Sequence, residues 1–368
     1  MAATLERPDA EVPVGPEPGV DRQRTRPGMA GWAGRAAFPL VLLAVGTWYV
    51  LSSTPVHSDV LASGVIIAVG ALSLNVLVGY VGQISLGHQA FIGIGAFTAA
   101  YVMTKSTDNF FAALVVAAVV GALQAVFLGL IALRVRGLYF ALVTLSWGAV
   151  AEQCVFRLKG FTGGGAGASA PRPGLFDSDR GYLVLASIVL GMVLLIDWRL
   201  MATKAGRAMQ AIRESPAVAA NYGISVPRYT LFAFGVSGLY AGIAGALYAS
   251  RRLTVQAGDF TFAGVALTYL IVTVVGGLRR RGGIATFSIF YVLGGFYLPQ
   301  LAKHINESVA ANAGYYVQVI SGVLAILTLI FQPEGLGTFT APIGRWLKGE
   351  RFQLGHGGGG AEGINVRP

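Results

Sequence analysis

Three features of the sequence predict an all-α integral membrane protein. Hydrophobic residues make up 54% of the 368-residue chain and charged residues only 12%, where a soluble domain carries about 25% charged residues. The apolar residues gather into ten stretches, most of them near the roughly 20 residues that a helix needs to cross a hydrocarbon core about 30 Å thick. The lysines and arginines sit mainly in short runs between those stretches, where they act as topology signals.

In chain order, a polar arm at 1–36 comes first, rich in Pro and Gly with charges of both signs. It reads as a disordered cytoplasmic tail, because a cleavable signal would place its apolar segment nearer the start. The apolar stretches follow at 37–53, 60–79, 88–104, 110–133, 138–156, 181–197, 229–249, 263–278, 284–302 and 315–331. A second tail at 341–368 ends in GHGGGGAEGINVRP and reads as partly disordered. About ten transmembrane helices put both termini on one side. With the N-terminus inside, the inner segments carry 19 Lys and Arg and the outer ones 8, which favours N-in and C-in. Five spans followed by five more start from opposite sides, the topology of two inverted halves, although no residue-level repeat accompanies it.

The net charge of +10 is accounted for by these signals, so nucleic acid is not an expected partner and membrane lipid is. Arg279, Arg280 and Arg281 read as a stop at the cytoplasmic face. The single cysteine, Cys154, excludes an internal disulfide framework and a Cys-based zinc site; it is expected to be a buried, inert thiol. H-E-x-x-H, G-x-S-x-G and Cys/His metal spacings are absent, which argues against an enzyme. Glu152 and Asp197, near the ends of the fifth and sixth spans, are expected to face interfaces, leaving no mid-membrane carboxylate for proton coupling. None of Lys105, Lys159, Lys204, Lys303 and Lys348 follows a glycine, so the chain has no P-loop and any ATP must be hydrolysed elsewhere.

Between spans two and three, GYVGQISLGHQAFIGIGAF (residues 79–97) sets glycines and polar groups inside an apolar neighbourhood. Gly79, Gly82 and Gly87 can turn the chain there. Gln83, Ser85, His88 and Gln89 then either cap helix ends and satisfy freed backbone groups, or line a translocation path or gate. The outer segment 157–180 is too rich in Gly, Ala and Pro to span. It is either a loose loop or, through Thr162, Gly163 and Gly164, a backbone surface for a zwitterion or a partner. The longest inner loop, 198–228, predicts a short helix over 206–214 with Met209 and Ile212 on one face. Ser215 as N-cap and Pro216 at the first position start a second helix over 217–222, which Gly223 stops. Such a segment either docks into a groove on a soluble partner or lies on lipid headgroups. In span seven, Gly235, Gly238, Gly242 and Gly245 share one face, a helix-packing face within the chain or against a second subunit.

LNVLVGYVGQISLGHQAFIGIGAFTAAY, RGLYFALVTLSWG, FTGGGAGASAPRPGLF and GRAMQAIRESPAVAANYGISVPRYTLFAFGVSGLYAGIAGALYA occur in this order, and FQPEGLGT follows the last span. Together they resemble the LivM-type permease of branched-chain amino acid ABC importers over roughly 37–340. Two departures stand out: the family's GGLGSxxGP run is here GGLRRRGGIATF, and TGGGAGAS lacks the acid or amide often found after TGG. The resemblance implies a permease domain at 37–340 in a prokaryotic plasma (inner) membrane, without enzymatic activity and without its own cofactor. ATP and Mg would be bound by two cytoplasmic ABC ATPase subunits. A LivH-type second permease and an extracytoplasmic substrate-binding protein complete the implied assembly. In that frame the coupling residues are Arg207, Met209, Ile212, Arg213, Glu214, Ser215, Pro216, Tyr222 and Gly223. Thr162, Gly163 and Gly164 would meet the binding protein, and the glycine face of span seven could serve the permease heterodimer. Branched-chain amino acids are the implied cargo; the alternatives are urea or another small amide, or an ATP-independent channel or carrier.

Overall fold

The computed structural model describes residues 54–303 except 108 and 136, together with isolated helical positions between 316 and 330. Both tails, the first span at 37–53, most of the tenth, and the FQPEGLGT ending lie outside the described residues.

Helix α1, Pro55–Asn75, starts where Thr54 accepts from the His57 amide and Pro55 supplies a preset φ. It runs without a break into a π-helical segment, Val76–Val81, which Gly82 ends at φ 74°. A residue with a Cβ is disfavoured at that φ, so this glycine marks the point where the apolar span turns into the connecting loop. Helix α2 is His88–Lys105. Helix α3, Phe110–Ala132, is capped by Asn109, whose side chain accepts from the Phe111 and Ala112 amides. Helix α4 is Leu138–Gln153, and α5, Asp179–Ala202, is capped by Ser178. Two short helices follow, α6 at Lys204–Glu214 and α7 at Pro216–Asn221. Helix α8 spans Val226–Arg252, α9 Leu267–Gly276 after a π turn at Phe262–Ala266, and α10 Arg281–Lys303.

Among the described residues, six helical segments are long and apolar enough to cross a membrane: Pro55–Val81, Phe110–Ala132, Leu138–Arg157, Asp179–Ala202, Val226–Arg252 and Arg281–Leu301. The 18-residue α2 is instead walled in by its neighbours, and most of its residues are buried. Helices α1 and α8 form the centre, 78% and 67% buried over their most apolar windows, while α10 is only 17% buried. Large apolar side chains such as Leu123, Phe127 and Leu130 line the exposed face of α3, as expected where the surrounding medium is hydrocarbon.

The helices meet through small residues. A Cβ on Gly95 of α2 would stand 2.7 Å from the Cα of Gly242 on α8, and one on Gly121 of α3 would stand 3.0 Å from the same atom. Three backbones therefore converge at Gly242, close enough for dispersion to hold them without a hydrophobic drive.

Segment 157–180 is not a loose loop. Ala168–Ser169 (β1) pairs antiparallel with Thr254–Val255 (β2), so among the described residues the helices are joined by one two-residue ribbon. Arg172, whose side chain is 9% exposed, bonds Asp179 at 2.7 Å and donates to the Arg251 carbonyl at 3.3 Å, anchoring the segment to α5 and α8. The expected burial of Cys154 is overturned: its thiol is exposed, because α4 ends there and the chain turns into a 3-10 segment, Val155–Arg157.

Candidate functional site

Two polar regions interrupt the apolar bundle. They are joined at the end that carries the π segment, α6 and the α9–α10 turn.

The first is a seam across the bundle centre. Ser73 of α1 has its hydroxyl against His88 Nε2 and accepts at its carbonyl from the Ser237 hydroxyl of α8 at 2.8 Å. Thr273 of α9 donates to the Ala71 carbonyl at 3.2 Å. Leu86, in the loop before α2, donates its amide to Thr144 Oγ1 of α4 at 3.0 Å. A Cβ on Gly87 would collide with the Thr144 carbonyl, and one on Gly148 with the Gln89 amide group. The loop is thus pressed against α4 backbone to backbone, as its glycines require. Of the four residues predicted for a path or gate, Ser85, His88 and Gln89 are at most 2% exposed, while Gln83 is half-buried. Ser85 Oγ, His88 Nδ1 and both amide atoms of Gln89 are buried without a hydrogen-bond partner. A buried polar atom left so costs on the order of 1–3 kcal/mol. The expectation that these side chains cap helix ends therefore accounts for few of their atoms. They form a buried cluster of polar side chains, several of whose atoms have no partner among the described residues.

The second region is a charged knot. Asp197 of α5 is fully buried, contrary to the expectation that it faces an interface. It accepts from the Tyr80 hydroxyl at 2.6 Å and lies 2.6 Å from Arg281 Nε at the start of α10. Burying a carboxylate demands a paired cation; Arg281 supplies it, so the arginine run is not merely a topology signal. Arg279 donates its amide to Asn75 Oδ1 at 2.8 Å and its guanidinium lies 3.5 Å from Glu214 of α6. Its φ is 69°, at a position where the resembled pattern has glycine. Glu152, the other acid expected to face an interface, is half-buried and accepts from the Phe262 amide at 3.2 Å.

Helix α6 enters this knot through Arg213, whose guanidinium donates to the Gly79 carbonyl in the π segment. Burial and the neighbouring Arg279 both pull the Arg213 guanidinium below its usual range, while Glu214 pushes it back. Met209 and Ile212, expected to meet a partner, are 0% and 2% exposed. They anchor α6 to its own chain and are not available for docking, a correction that follows from their facing the bundle. Arg207, Glu214, Tyr222 and Gly223 are exposed, and the apolar edge that faces outward is Val218 and Tyr222. Ser215 caps α7 by accepting from Val218, with Pro216 at the first position, and Gly223 takes φ 75° with open space around it. An open groove of 560 Å³ lined by Ala205, Gly223, Ser225, Arg228, Tyr229 and Phe232 runs beside it.

Thr162 is buried and spends its hydroxyl on the Leu158 carbonyl, so it supports the turn rather than presenting a surface. Gly163 is exposed and Gly164 half-buried. In α8, a Cβ on Gly238 would meet the Gly121 carbonyl, one on Gly242 the Ala117 carbonyl and one on Gly245 the Ile92 carbonyl, whereas Gly235 has room to spare. The glycine face thus packs on α3 and α2 of the same chain and not toward a second permease. Sequence reasoning missed Asn75 and Tyr80, and gave Asp197 an interface and Arg281 a topology role in place of their buried pairing. Their partners lie far apart in the chain, and the one local sign was a lone acid in an apolar run.

A helical bundle with six membrane-length segments among the described residues, a buried polar seam and a short-helix appendage bonded to the π segment fits a membrane permease. The chain belongs to the family described as branched-chain amino acid transport system / permease component, whose profile matches residues 56–329. It is 31% identical to the high-affinity branched-chain amino acid transport system permease protein LivM of Escherichia coli, over 82% of this chain and 74% of that protein. It is also 30% identical to a probable branched-chain amino acid transport permease protein LivH of Methanocaldococcus jannaschii, over 43% of this chain and 48% of that one. A third relative, the autoinducer 2 import system permease protein LsrC of an Enterobacter strain, is 30% identical over 49% of this chain and 50% of its own length. No solved structure gives a significant match.

Proposed function

We propose that this chain is the LivM-type permease subunit of an ABC importer that carries branched-chain amino acids across a prokaryotic plasma (inner) membrane. The observation that carries this reading is the Arg213 bridge from α6 to the Gly79 carbonyl, in a chain of the branched-chain permease family. It links a docking appendage directly to the segment that leads into His88. Two ATPase chains holding ATP and Mg dock at α6–α7, on the exposed Val218–Tyr222 edge and the groove beside Gly223. A second, LivH-type permease completes the membrane part, and a substrate-binding protein delivers cargo at the opposite end of the bundle, near Gly163 and Gly164. Ten helices arranged as two inverted five-helix halves, with both termini inside, put the α6 end in the cytoplasm.

Closure of the ATPase pair moves α6 as a unit, since Met209 and Ile212 bind it to its own bundle. Arg213 and the Arg279–Asn75 contact carry that motion into the π segment, whose wider turn is easier to rewind than an α turn. The lining residues Ser85, His88 and Gln89 then change their exposure across the membrane. No bond in the cargo is made or broken. The test is reconstitution of the complete complex in proteoliposomes with tritiated L-leucine. ATP-dependent uptake that needs all partners is expected; uptake by this chain alone, without ATP, would establish a channel or carrier instead. Uptake of urea in preference to leucine would replace the cargo and keep the machine.

A further inference from the structure

At the end of the bundle opposite α6, a cavity of 320 Å³ opens between α1, α8, α9 and α10. Its size falls within the about 300–1,000 Å³ of small-molecule sites. The wall carries one cation, one anion and, beside them, an aliphatic patch together with the rings of Tyr248, Tyr269 and Tyr291. Arg251 is the cation. It is held in place by Asp59, 2.8 Å from Nη2, with its side chain 15% exposed. A second donor, Nε, is spent on the Asp59 carbonyl, which leaves further N–H groups of the five in a guanidinium. Asp259 is the anion. Its Oδ2 accepts from the Gln256 amide at 3.0 Å, its Oδ1 lies 3.6 Å from Arg252, and the Tyr248 hydroxyl of the same wall also bonds it; two carboxylate oxygens offer about four acceptor positions, which leaves room for one more donor. Ile66, Ile67, Phe260 and Val265 supply the apolar wall.

We infer that this cavity is a transient binding site for the cargo inside the permease, taking a zwitterionic α-amino acid with an aliphatic side chain. The inference rests on the transport reading above for the identity of the cargo. The carboxylate meets Arg251, the ammonium meets Asp259, and the side chain lies on Ile66, Ile67 and Val265. Because both charges already have partners, the ligand gains little net electrostatic energy and is held weakly. A pathway site needs that property: binding favourable enough to enter and weak enough to leave.

The experiment uses the complete complex in nanodiscs, with Cys154 replaced by serine and Ser63, a residue of the cavity wall, replaced by cysteine. Maleimide labelling is followed in the presence of L-leucine, of L-leucinamide, which lacks the carboxylate, and of 4-methylpentanoate, which lacks the ammonium. L-leucine is expected to slow labelling by a factor of 1 + [L]/Kd, about threefold at twice Kd, while the two analogues leave the rate unchanged. Asp259→Asn should remove the protection by L-leucine. Ile67→Cys repeats the test from a second wall position in case the first variant folds poorly. Equal protection by all three compounds, protection by none, or no labelling at either cysteine would overturn the site. Leucine uptake is measured in proteoliposomes made from the same purified complex without the cysteine variants. Uptake without protection removes the cavity site alone, and protection without uptake removes the transport reading alone.

Discussion

Asp197 keeps its carboxylate wholly out of solvent, and what makes that tolerable is one arginine 84 positions later in the chain. Arg281 Nε and Tyr80 Oη both approach the same oxygen at 2.6 Å. Removing one partner of a buried pair strands a charge and costs about 3–5 kcal/mol, while removing both can be nearly neutral. Arg281→Gln should therefore lower the midpoint of thermal unfolding sharply in purified protein, and adding Asp197→Asn should restore most of it. Two losses that simply add would show that the pair does not interact. Arg279 poses a different question. It adopts a left-handed φ of 69°, strained for a residue with a Cβ, and holds its position through an amide bond to Asn75 and an ion pair with Glu214. The exposed ion pair is worth at most about 1 kcal/mol, so the amide contact, buried with Asn75, is the one that fixes this turn.

At the scale of elements, boundaries were legible wherever local chemistry sets them. Ser215, Pro216 and Gly223 mark the start and stop of α7 in one line of sequence, and the structure has the same cap, first position and left-handed stop. Eight apolar stretches became helices within a few residues of their expected limits, because hydropathy and span length are local quantities. What was not legible was which way a face points. Met209 and Ile212 look alike whether they meet a partner or their own bundle, and long-range packing decided for the bundle. The π segment 76–81 likewise has no composition of its own; it reads as the end of an apolar span. Span seven shows the same limit. Its glycine stripe announced close packing, but only the structure shows α3 and α2 filling it. Gly242→Leu is thus expected to stop this subunit from folding, by overpacking three backbones at one point, rather than to weaken assembly with a second permease. Size-exclusion profiles of the subunit expressed alone decide this; a monodisperse variant subunit that fails only to assemble would return the stripe to the interface. Gly223→Val meets no atoms but must adopt φ 75°, a cost of about 1–2 kcal/mol confined to the α7 stop. It should leave the subunit folded and reduce ATPase association, which co-purification measures.

For the whole molecule, the feature that bears on the proposed coupling is that the two polar regions adjoin along the chain at the π segment. Helix α6 touches the bundle core through Arg213 at Gly79; the π segment that carries Gly79 leads through Gly82 into the loop that presents Ser85, His88 and Gln89. The connection crosses a largely exposed stretch at 82–84, after which Leu86 and Gly87 are fixed on α4. If that chain of contacts transmits the power stroke, cutting it should separate hydrolysis from transport. Arg213→Ala removes the guanidinium while Met209 and Ile212 still seat α6, so the exposed edge at Val218 and Tyr222, the proposed docking surface, is unaltered. ATP hydrolysis by the reconstituted complex is expected to continue near its normal rate while leucine uptake falls about tenfold, within the range of a coupling free energy of about 1–3 kcal/mol. Parallel loss of hydrolysis and uptake would make Arg213 a folding or docking residue. Unchanged uptake would show that the stroke enters the bundle elsewhere, and the exposed Glu214–Arg279 contact would be the next link to cut.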